Sequence, residues 1–323
     1  MTRVNYGVAS SPAFELLPGK VSEVTHLTSA HDLYANFSTL ISGKKLNSGL
    51  AVDARPFAFA SGDLDAYQKN YFRRLLWRTS LSVGTTPGSE NKEDVFLAAG
   101  LRFTLIDQSD PRSNKDYIDE LSTAYLKVLE SIPPKLGESA ADLQKRIDDA
   151  VAKSPEIKAK REGFTKKYWN ATRWDLGLGV SSLAASGFLK TDSIFKDRLG
   201  VWSAFSTKLG KHTQLVFSGQ TSVVSHKADT TERNRSVLGA RARFFFGEGF
   251  AASTEYAQIF SNYKDTRLNE NWGHLALILE FKIPKLGGWA SIAYGGDATH
   301  RTETGAKFSF SYAVYTDRIL KKN

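Results

Sequence analysis

The 323-residue chain contains no cysteine. This absence excludes a disulfide-stapled fold, a cysteine zinc site and a thiol nucleophile. The sequence also has no continuous apolar run of about 18 residues, so it offers no membrane-spanning helix. Its first six residues lack the apolar core of a secretory leader. These absences remove several classes of protein and leave the pattern of the remaining residues to indicate the fold.

Signatures of enzymes are scarce in the sequence. It has no Gly-x-Ser-x-Gly elbow and no phosphate-binding loop, and its six histidines lack metal-ligand spacing. His226 and His300 have Asp229 and Asp297 close by in the sequence, and such loop residues are usually solvated. We therefore expect no enzyme, no metal and no cofactor. A hydrolase or acyltransferase that uses these loop histidines is the alternative left open.

The formal net charge is +9. A basic chain can bind nucleic acid, anionic lipid or acidic solutes. Nucleic-acid binding requires a basic stripe or a known motif, whereas the lysines and arginines here are scattered from end to end. We expect no nucleic-acid partner.

A recurring pattern fills most of the chain: segments of about ten residues in which apolar and small or polar residues alternate. In the tenth segment Leu275, Leu277 and Leu279 share one side, while His274 and Glu280 share the other. Such alternation is typical of strands whose two faces meet different surroundings. The twelve segments span residues 32–41, 46–59, 72–85, 94–106, 172–184, 198–209, 213–225, 235–247, 250–261, 272–283, 288–295 and 306–315.

Short and long connections alternate through the last seven segments. Residues 209–212, 247–249 and 284–287 form short turns, and longer polar links lie between them. Transmembrane barrels combine short periplasmic turns with long outer loops. The sequence therefore predicts an all-β fold, a closed antiparallel transmembrane β-barrel of about twelve strands. A soluble sandwich or a lipocalin-like barrel is the alternative.

With these features the chain resembles bacterial outer-membrane β-barrel proteins of Gram-negative cells. Residues 305–315 resemble the signal that the barrel-assembly machinery reads, although residues 316–323 follow it. Ser11-Pro12-Ala13-Phe14-Glu15-Leu16-Leu17 is similar to a segment of Bacteroidota outer-membrane proteins, but no specific family is assigned. The resemblance implies an outer-membrane location, a leader already removed, and the lipid bilayer, lipopolysaccharide and the assembly machinery as partners.

Residues 112–168 interrupt the pattern between the fourth and fifth segments. Ile118, Leu121 and Tyr125 follow helical spacing, and a second amphipathic stretch begins after Ser139. We expect a helical hairpin on the periplasmic side that binds a periplasmic or outer-membrane protein; a tolerated insertion without a role is the alternative. The predicted parts are an N-terminal segment or plug, barrel strands 1–4, the insertion, barrel strands 5–12 and a tail, at residues 1–31, 32–111, 112–168, 169–315 and 316–323.

The predicted inner face carries more basic than acidic residues. Two interpretations follow: a water-filled channel that prefers small anionic solutes, or a structural or assembly barrel whose arginines and carboxylates interlock, with residues 1–31 helping to fill the interior. The first is our leading expectation for function. The belt residues are Arg55, Arg74, Arg78, Arg102, Arg173, Asp175, Arg241, Arg243, Glu255, Glu280 and Lys282.

Overall fold

The fold is built around one large sheet, seen in a computed structural model. The described residues are 11–17, 25–27, 40–58, 63–88, 91–168, 170–224, 232–247, 249–283, 288–298 and 304–311. The strands are β1 (Thr25–Leu27), β2 (Ile41–Ser42), β3 (Lys45–Leu46), β4 (Ala51–Ala54), β5 (Ser80–Pro87), β6 (Val95–Asp107), β7 (Arg173–Ala184), β8 (Ile194–Lys208), β9 (Thr213–Val224), β10 (Glu232–Phe245), β11 (Phe250–Tyr263), β12 (Glu270–Ile283), β13 (Gly288–Asp297) and β14 (Thr304–Ser311). The helices are α1 (Pro12–Glu15), α2 (Leu64–Lys69), α3 (Tyr71–Trp77), α4 (Lys115–Glu130), α5 (Ala140–Lys153) and α6 (Pro155–Tyr168).

The strands of the main sheet follow the order of the chain. The sheet has twelve strands in the order β1-β4-β5-β6-β7-β8-β9-β10-β11-β12-β13-β14, and β2 pairs with β3 in a separate hairpin. From β4 onward neighbouring strands are antiparallel, whereas β1 pairs parallel with β4. Antiparallel succession places consecutive links at opposite ends of the sheet. One end of the sheet has the three shortest links, 209–212, 246–249 and 284–287, and we name it the short-turn end. The two long links 55–79 and 108–172 lie at the same end.

A mostly antiparallel sheet with a helical insertion is confirmed. The strands from β6 to β13 coincide within a few residues with the predicted segments. Closure of the sheet is not observed, because β1 and β14 stand at the two ends of the strand order and do not pair with each other in the described part of the chain. The described strands thus form an open sheet rather than the closed barrel that we predicted.

The N-terminal strands differ most from the prediction. Of the predicted segment 32–41, residues 32–39 lie outside the described residues, and Ile41 belongs to the small hairpin. Segment 46–59 keeps only the short strand β4, because Pro56 begins a 3-10 turn and has no amide proton for a ladder. The three-residue strand β1 is too short for alternation to reveal it. At the other terminus, residues 312–323 lie outside the described residues.

The first half of the predicted strand 72–85 is a helix instead. Residues Tyr71–Trp77 form α3, and the strand begins only at Ser80. The side chain of Asn70 caps the helix by accepting hydrogen bonds from the amides of Phe72 and Arg73, at 2.9 Å and 3.2 Å. Phe72, Leu75 and Leu76 have helical rather than alternating spacing, so the prediction of a strand here was wrong.

The insertion contains three helices rather than the predicted hairpin of two. Ser139 caps α5, since its Oγ accepts a hydrogen bond from the amide of Asp142 at 3.2 Å. The third helix, α6, begins at Pro155 and has no continuous apolar stripe, so helical spacing did not reveal it. Ile157 of α6 is only 1% exposed and anchors it within the insertion. No helix in the described residues has the length and apolarity needed to cross a bilayer.

The two faces of the main sheet differ in composition and in exposure. Large apolar side chains on one face are exposed, among them Leu238 at 58%, Leu275 at 54% and Val180 at 51%. On the other face Glu255 and Asp175 are only 4% and 6% exposed. We call these the apolar face and the polar face. A sheet in water normally buries its apolar face, whereas here the apolar face is exposed and the charged side chains lie on the buried face, together with apolar residues such as Trp202 and Ile259.

Candidate functional site on the polar face of the sheet

The N-terminal segment 11–17 lies against the polar face. A row of glycines makes room for it: Gly100 pairs with Gly179, and Gly179 pairs with Gly200. A Cβ atom on Gly100 would lie 2.5 Å from the backbone nitrogen of Ala13. On Gly179 it would lie 2.9 Å from a methyl group of Leu16. Only glycine permits this close approach of chain to sheet.

Polar and apolar contacts both hold the segment in place. Ser11 Oγ donates a hydrogen bond to Asp53 Oδ2 at 2.6 Å, and the Ala13 amide donates to Ser82 Oγ at 3.1 Å. Ala13 and Leu16 are 0% and 2% exposed, and they form an apolar cluster with Trp202. Residues 11–17 therefore cover the polar face of β5 to β8.

A first ion cluster lies on the polar face of β6 and β7, near the short-turn end. Asp175 Oδ2 accepts hydrogen bonds from Arg173 Nε at 2.8 Å and from Arg102 Nη2 at 3.1 Å. Thr104 donates to the other oxygen of Asp175 at 2.6 Å. Arg173 also lies 3.8 Å from a carboxylate oxygen of Asp107. The cluster thus balances two guanidinium groups with two carboxylates.

A second ion cluster spans β10, β11 and β12. Arg241 Nε lies 3.2 Å from Glu255 Oε1, and Arg241 Nη2 donates to Glu280 Oε2 at 3.3 Å. Arg243 Nε lies 2.6 Å from the same oxygen of Glu280. Arg241 and Arg243 directly face Glu255 and Ser253 across the ladder, which explains why these side chains meet. This cluster is also balanced, with two arginines and two glutamates.

The structure brings seven of the predicted belt residues into these two clusters: Arg102, Arg173, Asp175, Arg241, Arg243, Glu255 and Glu280. Three others lie elsewhere or beyond description. Arg74 lies on α3 and donates to the carbonyl of Gln68 at 3.3 Å, because residues 71–77 are helical. Arg55 is exposed beyond the end of β4. The side chain of Lys282 lies outside the described residues.

Arg78 belongs to a different site, a junction cluster at the short-turn end that also contains Tyr67, Asp110 and Arg112. Arg112 Nε and Nη2 donate to the two oxygens of Asp110 at 3.0 Å and 3.1 Å. Arg78 Nη2 donates to Asp110 Oδ2 at 3.1 Å, and the buried hydroxyl of Tyr67 donates to the same oxygen. The guanidinium of Arg112 stacks 4.9 Å from the ring centre of Tyr67.

The junction cluster shifts the pKa of its acidic member. Burial alone would raise the pKa of Asp110, but hydrogen bonds and charge from Arg112, with help from Tyr67 and Arg78, lower it to about 2. Burial, the hydrogen bond to Asp110 and its charge raise the pKa of Tyr67. The cluster ties α2 and α3 to the segment that begins the insertion. Sequence reasoning missed it, although Asp110-Pro111 is a helix-start signal.

No family model matches this chain, and neither curated proteins nor solved structures match it. Within the described ranges, no three histidine, aspartate or glutamate side chains gather in a group that could hold a metal ion. Of the loop residues considered for catalysis, His226, Asp229 and His300 lie outside the described residues. The polar face, its two ion clusters and its covering segment are therefore the features from which a function must be argued.

Proposed function

We propose that the protein is a bacterial outer-membrane β-barrel with a filled interior, which holds its helical insertion at the periplasmic surface for a protein partner. One observation carries the proposal: the apolar face is exposed and the polar face is buried. Leu277 and Tyr294 on neighbouring strands are 48% and 59% exposed, whereas Ser253 is 0% exposed. The short-turn end would face the periplasm, since short turns are typical of that side.

The exposed apolar face would be costly in water. Each square ångström of apolar surface left in water forgoes about 25 cal/mol of stabilisation, and every strand from β6 to β13 carries exposed apolar side chains. Contact with lipid removes that cost. Lipid in turn requires every backbone group to be hydrogen-bonded. We therefore propose that the sheet closes in a membrane, where its first edge, formed by β1 and β4, meets its last strand, β14.

Two features favour a filled interior over an open channel. Both ion clusters of the polar face have balanced charge, so they leave little excess positive charge to attract anions. Residues 11–17 occupy the space in front of the glycine row. A channel for small anionic solutes, our expectation from the sequence, would need water in front of these clusters.

Planar-bilayer conductance separates the two functions. We expect refolded wild-type protein to insert and to remain electrically silent, because residues 11–17 and the ion clusters fill its interior. Deletion of residues 1–17 is expected to produce current steps. Insertion is checked independently by quenching of a fluorophore at Leu277→Cys with lipids that carry a mid-chain nitroxide, a site-specific label that a cysteine-free chain makes simple.

Stable anion-selective steps from the wild-type protein would refute the filled interior and support the channel. In that case the variants Arg102→Gln and Arg241→Gln should reduce the selectivity. Absence of lipid quenching at residue 277 in folded protein would refute the membrane location itself.

The insertion exposes apolar side chains that suit a protein partner. Leu126 and Leu129 on α4 are 57% and 40% exposed. We expect a photo-crosslinking residue at position 126 to give one discrete adduct in intact cells, whereas the same residue at Lys145 on α5 should give none. Equal adducts at both positions, or none at either, would contradict a partner bound through α4.

A further inference from the structure

Helix α3 lies beside β6 at the position where β5 would pair if it began earlier in the chain. β5 begins at Ser80, opposite Arg102, whereas β6 continues to Asp107. Within the described residues, the last residues of β6 therefore pair with no strand on that side. The hydroxyl of Tyr71 donates to the carbonyl of Leu105 at 3.3 Å, so α3 lies beside this free edge.

The outer side of α3 exposes aromatic rings. Tyr71 is 53% exposed and Phe72 is 63% exposed. The 3-10 turn that packs beside α3 adds Phe57, which is 43% exposed. At the same end, Ile106 of the apolar face is 36% exposed, and its cross-strand partner Trp174 is 37% exposed. The exposed rings of α3 thus lie at the same end of the sheet as exposed apolar side chains of β6 and β7.

Basic residues accompany these rings. Arg73 is exposed directly after Phe72, and Arg55 is exposed directly before the 3-10 turn. The nearby acidic groups are already engaged: Asp65 pairs with Lys69 at 2.8 Å, and Asp63 caps α2 by accepting from the amide of Asp65. Aromatic rings with arginines beside them are typical of the level of the lipid headgroups.

We propose that α3 is an interfacial helix that binds the headgroups of anionic phospholipids. Tyr71, Phe72 and Phe57 lie among the headgroups, and Arg73 and Arg55 bind the lipid phosphates. This inference rests on the proposed membrane location and adds to it a lipid-binding surface and the depth of one helix.

Fluorophores at three single cysteines test the proposal in vesicles of phosphatidylcholine, with and without phosphatidylglycerol. A headgroup nitroxide should quench the label at Phe72→Cys, and a mid-chain nitroxide should quench the label at Leu277→Cys. Neither nitroxide should quench the label at Leu126→Cys, because Leu126 is an exposed leucine like Leu277 but lies on the insertion, away from the sheet. Phosphatidylglycerol should increase headgroup quenching at position 72, and Arg73→Gln should reduce that increase.

The controls separate the two proposals. Lipid quenching at position 277 combined with purely aqueous acrylamide quenching at position 72 would overturn the interfacial helix while the membrane location stands. An undiminished phosphatidylglycerol effect in the Arg73→Gln variant would overturn the binding of anionic headgroups. Absence of mid-chain quenching at position 277 would overturn both proposals.

Discussion

Replacing Gly100 with leucine is expected to displace residues 11–17 from the polar face. The new Cβ would lie 2.5 Å from the nitrogen of Ala13 and 3.0 Å from the carbonyl carbon of Pro12. Both are backbone atoms, so no side-chain rotation relieves the clash. Overpacking of this kind costs about 1–3 kcal/mol, which corresponds to a roughly 5- to 150-fold shift in a local equilibrium.

The reaction of a maleimide with Ser11→Cys measures this displacement. Ser11 is 7% exposed, and the substitution is nearly isosteric, so we expect slow labelling in the parent and labelling faster by that factor in Gly100→Leu. Gly219→Leu is the matched control on β9. Its Cβ would meet only a methyl group of Leu238 at 3.5 Å, an ordinary contact. Equal protection of position 11 in the parent and in Gly100→Leu would show that the segment is not held by the glycine row.

Replacing Asp110 with asparagine is expected to destabilise the protein by about 3–5 kcal/mol. The variant leaves the guanidinium groups of Arg78 and Arg112 without their carboxylate in a site where the side chains of Arg78 and Asp110 are 9% and 5% exposed. The free energy of unfolding in urea measures the loss. The effect is large because the cluster joins α2, α3 and the start of the insertion.

The chain supplies a matched control for this variant. Asp265 binds Arg267 with the same two-residue spacing and the same bidentate contacts, at 3.1 Å and 3.0 Å, but the side chain of Arg267 is 87% exposed. Solvent screens such a pair, so Asp265→Asn should leave the free energy of unfolding nearly unchanged. Equal effects of the two substitutions would contradict the role that we assign to burial.

Acid should weaken the junction cluster in a defined pH range. The pKa of Asp110 is about 2 in the folded protein, against an ordinary value of 3.8. A lowered folded-state pKa contributes stability that is fully present above the ordinary value and is lost as the pH falls through about 2. The contribution is about 2 kcal/mol, and Asp110→Asn should remove this part of the pH dependence.

Local pattern predicted the strands from β6 to β13 and the helical nature of the insertion. The two faces of each of these strands meet different environments, so the alternation of apolar and polar residues over a short segment is enough to predict the strand. The same reasoning failed at α3. Asn70 caps this helix, and Phe72, Leu75 and Leu76 have the spacing of a helix rather than the alternation of a strand. It also failed at α6, whose apolar residues form no stripe.

The sequence predicted only part of the candidate site. Arg102, Asp175, Arg241 and Glu280 share the polar face, because side-chain direction in a strand has a period of two. Their ion pairs were not predictable, since Arg102 and Asp175 are 73 residues apart and meet only through the register of β6 and β7. Tyr67 and Asp110 are 43 residues apart and meet only because α2 packs beside the segment that begins the insertion.

The sequence by itself therefore determined the strands from β6 to β13 and which face of each of them is apolar. Only the tertiary structure decided that the apolar face is exposed, that the charges of the polar face are balanced, and that residues 11–17 cover the glycine row. Gly100, Gly179 and Gly200 come from three strands, and nothing local relates them. Strand register brings them side by side, and register follows from the packing of the whole sheet.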